Sequence, residues 1–128
     1  MKILWILAYN LVFYPILFML SLFVSLFQLK LRESVLGKFK SVKIIKRYFN
    51  NNRNNEDIYW FHSSSLGEYH QVKSVIEGMK KIEVRAKYIV SFSSPSGYQN
   101  VMSDSMDLKF YMPLDFPWTV IKVLKIIK

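Results

Sequence analysis

A carboxylate, an imidazole and three hydroxyls occur within seven consecutive residues, His62-Ser63-Ser64-Ser65-Leu66-Gly67-Glu68. A carboxylate at a turn can accept the proton of a bound hydroxyl, and a well-placed general base accelerates a reaction by about 10²–10⁴-fold. The same spacing also has a structural interpretation, because Ser65 and Glu68 form the S-x-x-E pattern of a helix capping box. His62 is likewise typical of a hydrogen-bonded turn residue. The residues alone therefore leave two roles open for Glu68.

Two more polar segments have a similar double interpretation. In Ser94-Pro95-Ser96-Gly97, backbone amides at a helix start can bind an anion, but serine before proline is also typical of an ordinary N-cap. Asp115, within Pro113-Leu114-Asp115-Phe116-Pro117, is typical of a turn. The chain has no cysteine and its two histidines lie eight residues apart, so the sequence indicates neither a metal site nor a cofactor.

The elements that would position these segments alternate along the chain. Aromatic and branched runs predict strands over residues 58–62, 87–93 and 108–112. Helical spacing and helix-start signals predict helices over residues 68–81, 94–102 and 118–128. Short links between alternating strands and helices indicate parallel strands with right-handed crossovers. We therefore predict an α/β fold, half of a doubly wound sheet, with all three polar segments at the carboxyl ends of the strands, where such sheets bind ligands.

Residues 3–29 form a run of 27 residues without a charge, of which 22 are hydrophobic. A bilayer span takes about 20 helical residues, so the run is long enough to cross. It is too long for the apolar part of a cleaved signal, and no A-x-A-like site follows it. Four polar side chains, of Asn10, Ser21, Ser25 and Gln28, are too few for the polar face of an in-plane helix. Residues 1–29 are therefore predicted to be a membrane anchor, a span in preference to a monotopic hairpin, with Pro15 as either a kink or a re-entrant bend.

The charges that follow this run predict its orientation. Residues 30–53 carry eight basic side chains against Glu33 alone, which places everything after residue 29 in the cytoplasm and Trp5, Tyr9 and Tyr14 near the opposite interface. The net charge of +9 suggests nucleic acid, but residues 54–128 hold nine basic and eight acidic side chains. The excess is therefore confined to residues 30–57, a predicted basic juxtamembrane linker that binds lipid headgroups. We predict a membrane partner and no nucleic acid.

Taken in order, the three polar segments resemble a known family. Residues 60–68, Trp-Phe-His-Ser-Ser-Ser-Leu-Gly-Glu, are similar to the W-x-H-x-x-S-x-G-E segment of the bacterial 3-deoxy-D-manno-octulosonic acid (Kdo) transferases. Residues 94–98 resemble the T-P-T-G turn of that family, and residues 111–117 resemble its Y-x-P-x-D-x-P stretch. The resemblance covers roughly residues 58–124, and the family also begins with a hydrophobic membrane anchor.

The resemblance implies a GT-B glycosyltransferase, which has two Rossmann-like domains with the acceptor on the amino-terminal one. Members transfer Kdo from CMP-Kdo to a lipid A precursor in lipopolysaccharide synthesis, on the cytoplasmic face of the inner membrane, without a cofactor. The position of the family's proposed general base is Glu68 here. The remaining matched positions are expected to bind substrate: His62, Ser65, Gly67, Ser94, Ser96, Gly97 and Asp115.

The sequence also departs from the family pattern. Ser63-Ser64 replaces a more usual Ala-Val pair, Ser94 and Ser96 replace threonines, and the basic linker matches poorly. Residues 58–128 are expected to form a partial acceptor-side domain without the CMP-binding domain, so this chain alone is expected to be inactive. Two alternatives remain open: a non-catalytic membrane-anchored binding module, or another GT-B transferase.

Overall fold

A computed structural model of the chain describes residues 2–52 and 56–127. Its amino-terminal part is helical: α1 (Lys2–Ala8), a π-helical turn (Tyr9–Phe13), α2 (Tyr14–Ser25) and α3 (Leu29–Asn51). Strands and helices then alternate: β1 (Ile58–Ser63), α4 (Leu66–Met79), β2 (Lys87–Phe92), α5 (Pro95–Asn100), a 3₁₀ turn (Ser103–Ser105), β3 (Leu108–Tyr111) and α6 (Pro117–Ile127). Each strand ends within one residue of its predicted end, and all three begin at the predicted residue.

The strands form a parallel sheet in the order β1-β2-β3. At the carboxyl end, Ser63 pairs with Phe92 and Phe92 pairs with Tyr111, so the three strands end at the same edge. The predicted class, an α/β fold with half of a Rossmann-like parallel sheet behind an apolar amino-terminal helix, is confirmed. The polar segments that follow the strands therefore meet at one edge.

Helices cover both faces of this sheet. On one face, α4 and α5 pack over a cluster that includes Tyr69, Ile76, Val90 and Phe92. On the other face lies a second cluster, which contains Ile45, Phe49, Ile89, Phe110 and Val123. Parallel strands are normally buried on both faces in this way, because successive side chains point to opposite sides and both sets are apolar.

Helix α3 occupies most of residues 30–57, where we predicted a linker. It buries Ser41, Ile45 and Phe49 against the sheet and α6, while its lysines and arginines lie mainly on the outward side. This apolar stripe is difficult to recognise in the sequence, because basic residues occupy the exposed face of the same amphipathic helix and dominate its composition. The predicted domain limits remain predictions.

The run of residues 3–29 is also helical over most of its length. Ile3–Ser25 forms one helix long and apolar enough to cross a membrane, by length and composition. Its hydrogen-bond pattern widens to a π turn just before Pro15, as expected where proline lacks the N–H that an α-helix needs. Tyr9 and Tyr14, predicted near the far side of a membrane, lie against Asp115.

The contact between α3 and β3 depends on the lack of a side chain at Gly37. A Cβ atom at this position would lie 2.1 Å from Cδ2 and 2.9 Å from Cγ of the Tyr111 ring. One turn later, the Ser41 hydroxyl donates a hydrogen bond to the Tyr111 carbonyl at 2.5 Å. The α3 backbone is thereby held directly against the carboxyl end of β3.

We predict that Gly37→Ala destabilises the fold by about 1–3 kcal/mol, because the Tyr111 ring and α3 must move apart. Gly78→Ala is the matched control, since a Cβ there meets nothing within 4 Å. That control should stabilise the protein by about 0.5–1 kcal/mol through helix propensity. Urea unfolding in detergent micelles, followed by circular dichroism, measures both, and equal stability of the two variants would contradict the prediction.

Candidate functional site

Two turns lie side by side at the carboxyl edge of the sheet. One joins β1 to α4 and contains Ser64 and Ser65, and the other joins β2 to α5 and contains Ser93 and Ser94. The Ser93 amide donates to the Ser63 carbonyl at 3.2 Å. Gly97 allows the close approach, because a Cβ there would lie 3.4 Å from the Ser65 carbonyl carbon and 2.9 Å from the Phe92 ring. The structure thus brings together the first two predicted segments.

Glu68 combines a helix cap with an accessible carboxylate. Its amide donates to the Ser65 hydroxyl at 3.3 Å, which makes Ser65 the N-cap of α4. Its carboxylate accepts the Ser64 amide at 2.7 Å and the Ser64 hydroxyl at 2.6 and 2.7 Å. The contact is with Ser64 and not with the Ser65 amide, which a capping box would use. The carboxylate is therefore held at the mouth of the turn, and the residue stays exposed.

The hydrogen bonds from Ser64 lower the pKa of Glu68 below its ordinary value of 4.5, with the hydroxyl contributing more than the amide. When its imidazole is protonated, nearby His62 lowers this pKa further. A carboxylate with a lowered pKa is ionised throughout the neutral range. Glu68 is thus in the form that can accept a proton.

His62 lies on the sheet edge between two serine hydroxyls. Its Nδ1 is 3.0 Å from Oγ of Ser91, and its Nε2 is 3.2 Å from Oγ of Ser93. Ser91 is fully buried and also accepts a hydrogen bond from the Trp60 indole at 2.9 Å. Because the indole can only donate, the Ser91 hydrogen is free for Nδ1 of His62, at a shorter distance than the alternative Phe61 carbonyl at 3.3 Å. This pattern favours the tautomer with the proton on Nε2.

Sequence analysis missed Ser91 as part of this site. The available signal was the alternation Ser91-Phe92-Ser93, in which a hydroxyl occupies a position inside an otherwise apolar strand. A buried polar side chain needs a hydrogen-bond partner, and here the partners come from β1.

The second predicted segment is capped internally. The Ser94 hydroxyl accepts the Gly97 amide at 3.2 Å and lies 3.2 Å from the Ser96 hydroxyl. That amide is thereby occupied by the N-cap, the structural alternative noted for this segment. Gly67, in contrast, is exposed, and a Cβ there would meet only the Ser65 hydroxyl, at 3.9 Å. Open space therefore remains beside Glu68.

Asp115 lies at the same edge but bonds elsewhere. Its carboxylate accepts the Tyr9 hydroxyl at 2.9 Å, and its amide donates to the Tyr14 hydroxyl at 2.5 Å. The loop that carries Asp115 also borders a cavity of about 320 Å³, mostly apolar, which has Trp60 and Val123 in its wall. The Trp60 indole in the cavity wall donates to the Ser91 hydroxyl, which also contacts His62, so the cavity and His62 are linked through Ser91.

We predict that Ser91→Ala shifts His62 from the Nε2-protonated form towards a mixture of tautomers, because the donor to Nδ1 is lost. Nitrogen-15 NMR of the two imidazoles measures the change, with the exposed His70 of α4 as the internal control. An unchanged His62 tautomer in a folded Ser91→Ala variant would contradict this assignment.

A family model described as 3-Deoxy-D-manno-octulosonic-acid transferase (kdotransferase) matches residues 38–128, which include α4, the sheet and all three polar segments. No curated protein and no solved structure matches the chain. The match confirms the resemblance drawn from the motifs. The chain belongs to the 3-deoxy-D-manno-octulosonic-acid transferase family.

Proposed function

We propose that these residues form the acceptor side of a transferase that moves Kdo from CMP-Kdo to a lipid A precursor, with Glu68 as the general base. The observation that supports this most directly is the exposed, ionised carboxylate of Glu68, held by Ser64 beside the open space at Gly67. A cap that served stability alone would not require that space.

In the proposed step, an acceptor sugar hydroxyl attacks the anomeric carbon of Kdo. The Glu68 carboxylate takes the hydroxyl proton as the new carbon–oxygen bond forms. The bond between the anomeric carbon and the CMP phosphate oxygen breaks, and CMP leaves with the electron pair. In the family the donor lies on the carboxy-terminal domain, so the reaction needs that domain as well as this one.

The other predicted residues are assigned to acceptor binding. The hydroxyls of Ser94 and Ser96 and the imidazole of His62 supply hydrogen-bond donors and acceptors at the sheet edge. Ser65 and Gly97 shape the two turns, and Gly67 leaves room for a sugar ring. Asp115 borders the apolar cavity, where we place the part of the acceptor nearest its acyl chains.

We place the protein at the cytoplasmic face of the inner membrane. The candidate membrane helix and the basic outward face of α3 support this location, because an anionic glycolipid acceptor lies among anionic headgroups. Basic residues near such a surface each contribute about 1 kcal/mol of attraction.

We predict that Glu68→Gln lowers transfer by about 10²–10⁴-fold in the full-length protein that carries these residues. Release of CMP from CMP-Kdo with lipid A precursor in mixed micelles measures the rate. Glu77→Gln is the matched control, because Glu77 lies on the same helix, is exposed and pairs with Lys73 at 3.6 Å. If a folded Glu68→Gln variant kept its transfer rate, Glu68 would serve only to cap the helix and would not be the general base.

We also predict that Ser64→Ala moves the acidic limb of the pH profile of kcat/KM to higher pH. Ser64 lowers the pKa of Glu68, so its removal raises that pKa, and the base becomes protonated earlier as the pH falls. Ser74→Ala is the control, since that hydroxyl donates to the His70 carbonyl on the same helix and lies away from the Glu68 carboxylate among the described contacts. An acidic limb that stays in place would show that Glu68 is not the group being titrated.

A non-catalytic binding module is the second candidate function, and the bond between Ser65 and the Glu68 amide favours it. In that case Glu68→Gln would leave acceptor binding unaffected and would change only thermal stability. Binding of the chain to vesicles that contain lipid A precursor distinguishes a module that binds acceptor from one that binds lipid alone.

A further inference from the structure

The amino-terminal apolar helix is attached to the α/β domain through polar and aromatic contacts near its middle. The Tyr9 and Tyr14 hydroxyls both bond to Asp115. The Tyr14 and Phe116 rings meet edge to face at 4.8 Å, and Phe18 contacts the same Phe116 ring at 5.6 Å. Helix α2 and α3 also pack side by side, with Phe18 5.9 Å from Phe39 of α3. The contacts therefore extend along much of α2.

The π turn explains how two tyrosines reach one carboxyl residue. In an α-helix, residues five positions apart point in directions about 140° apart. Here the Tyr14 amide bonds to the Tyr9 carbonyl, five residues back, and the two rings lie 6.0 Å apart. The π turn before Pro15 thus places both hydroxyls on the side that faces Asp115.

This docked arrangement is incompatible with a bilayer crossing. Tyr9 precedes Ser25 by 16 residues, a distance of roughly 24 Å along a helix, whereas the hydrocarbon core is roughly 30 Å thick. If Ser25 lay at the surface from which α3 begins, a crossing helix would carry Tyr9 almost to the other side. Asp115 lies in the loop between β3 and α6 and cannot follow it there.

The side chains that point away from the domain fit a single leaflet. Ile16, Leu20 and Phe23 of α2 are 54–62% exposed, and the side chains of residues 3–7 are 51–75% exposed. Trp118 is 67% exposed and stacks on Phe116 at 4.7 Å, so an aromatic residue adjoins the docked helix. Tryptophan and tyrosine are typical of the headgroup level, and lysine and arginine of anionic surfaces.

We propose that the amino-terminal helix is a monotopic anchor: it stays docked on Asp115 and inserts its outer face into one leaflet of an anionic phospholipid bilayer. The basic outward side of α3 lies among the headgroups of that leaflet. The polar edge of the sheet is thereby held at the membrane surface on the side from which the helix enters. This arrangement does not depend on the proposed transfer reaction.

The first test locates the amino-terminal end of the helix and the α/β domain relative to the membrane. A peptide tag with a protease site is fused ahead of residue 1, and Lys122→Cys on α6 provides a reference thiol in a chain with no other cysteine. In inverted inner-membrane vesicles, the tag should be cleaved and the thiol should react with a membrane-impermeant maleimide. In spheroplasts, both should be protected. Cleavage of the tag only in spheroplasts would overturn the proposal.

The second test measures docking in the same vesicles. Tyr14→Cys with Phe116→Cys should be joined by a short bismaleimide, and so should Phe18→Cys with Phe39→Cys, which leaves the tyrosine pair intact. The control pair is Phe23→Cys with Phe116→Cys, because Phe23 is 62% exposed and contacts Phe27. Loss of cross-linking in both contact pairs would overturn the docked arrangement, whatever the activity of the protein.

Discussion

The fold depends on burial of both faces of a parallel sheet. Ile89 and Phe110 are fully buried on the face opposite α4, and they are covered by Ile45 and Phe49 of α3 together with α6. Without α3, this face would have one helix over three strands, and the apolar side chains of β2 would meet water. The close contact at Gly37 and the bond from Ser41 bring α3 near enough to the end of β3 to close that layer.

The site follows from the direction of the strands. Because the three strands run parallel and end together, the turn after each strand emerges at one edge. The chain places a serine-rich turn at two of these ends, and the start of α4 supplies the carboxylate of Glu68. Bonds within the turns satisfy most of their own polar groups, which leaves Glu68 as the charged acceptor that faces solvent beside open space.

The sequence supports accurate prediction where local patterns and tertiary structure agree. The strands and the helices that follow them were predictable because apolar periodicity and turn residues alternate regularly. The N-cap role of Ser65 was also visible in its spacing to Glu68. The contact of Asp115 with Tyr9 was not, because the two residues are 106 positions apart and neither has a local partner that reveals the other.

Helix α3 and Ser91 show two different reasons for incomplete prediction. In α3, the many basic residues indicated a linker, and the few apolar residues at helical spacing were not recognised as the buried side of a helix. At Ser91, a single hydroxyl in an apolar strand gave no indication of which partners it would meet across the sheet. Such partners are set by strand register, which the residues of one strand do not determine.

The close approach at Gly97 has a mechanical consequence. A Cβ atom on Gly97 would lie 3.4 Å from the Ser65 backbone and 2.9 Å from the Phe92 ring, and the Ser93 amide bonds to the Ser63 carbonyl, so neither turn can shift without displacing the other. The two turns therefore behave as one stiff rim of fixed width. Accommodation of ligands of different bulk at this rim must come from rotation of exposed side chains, not from widening of the gap.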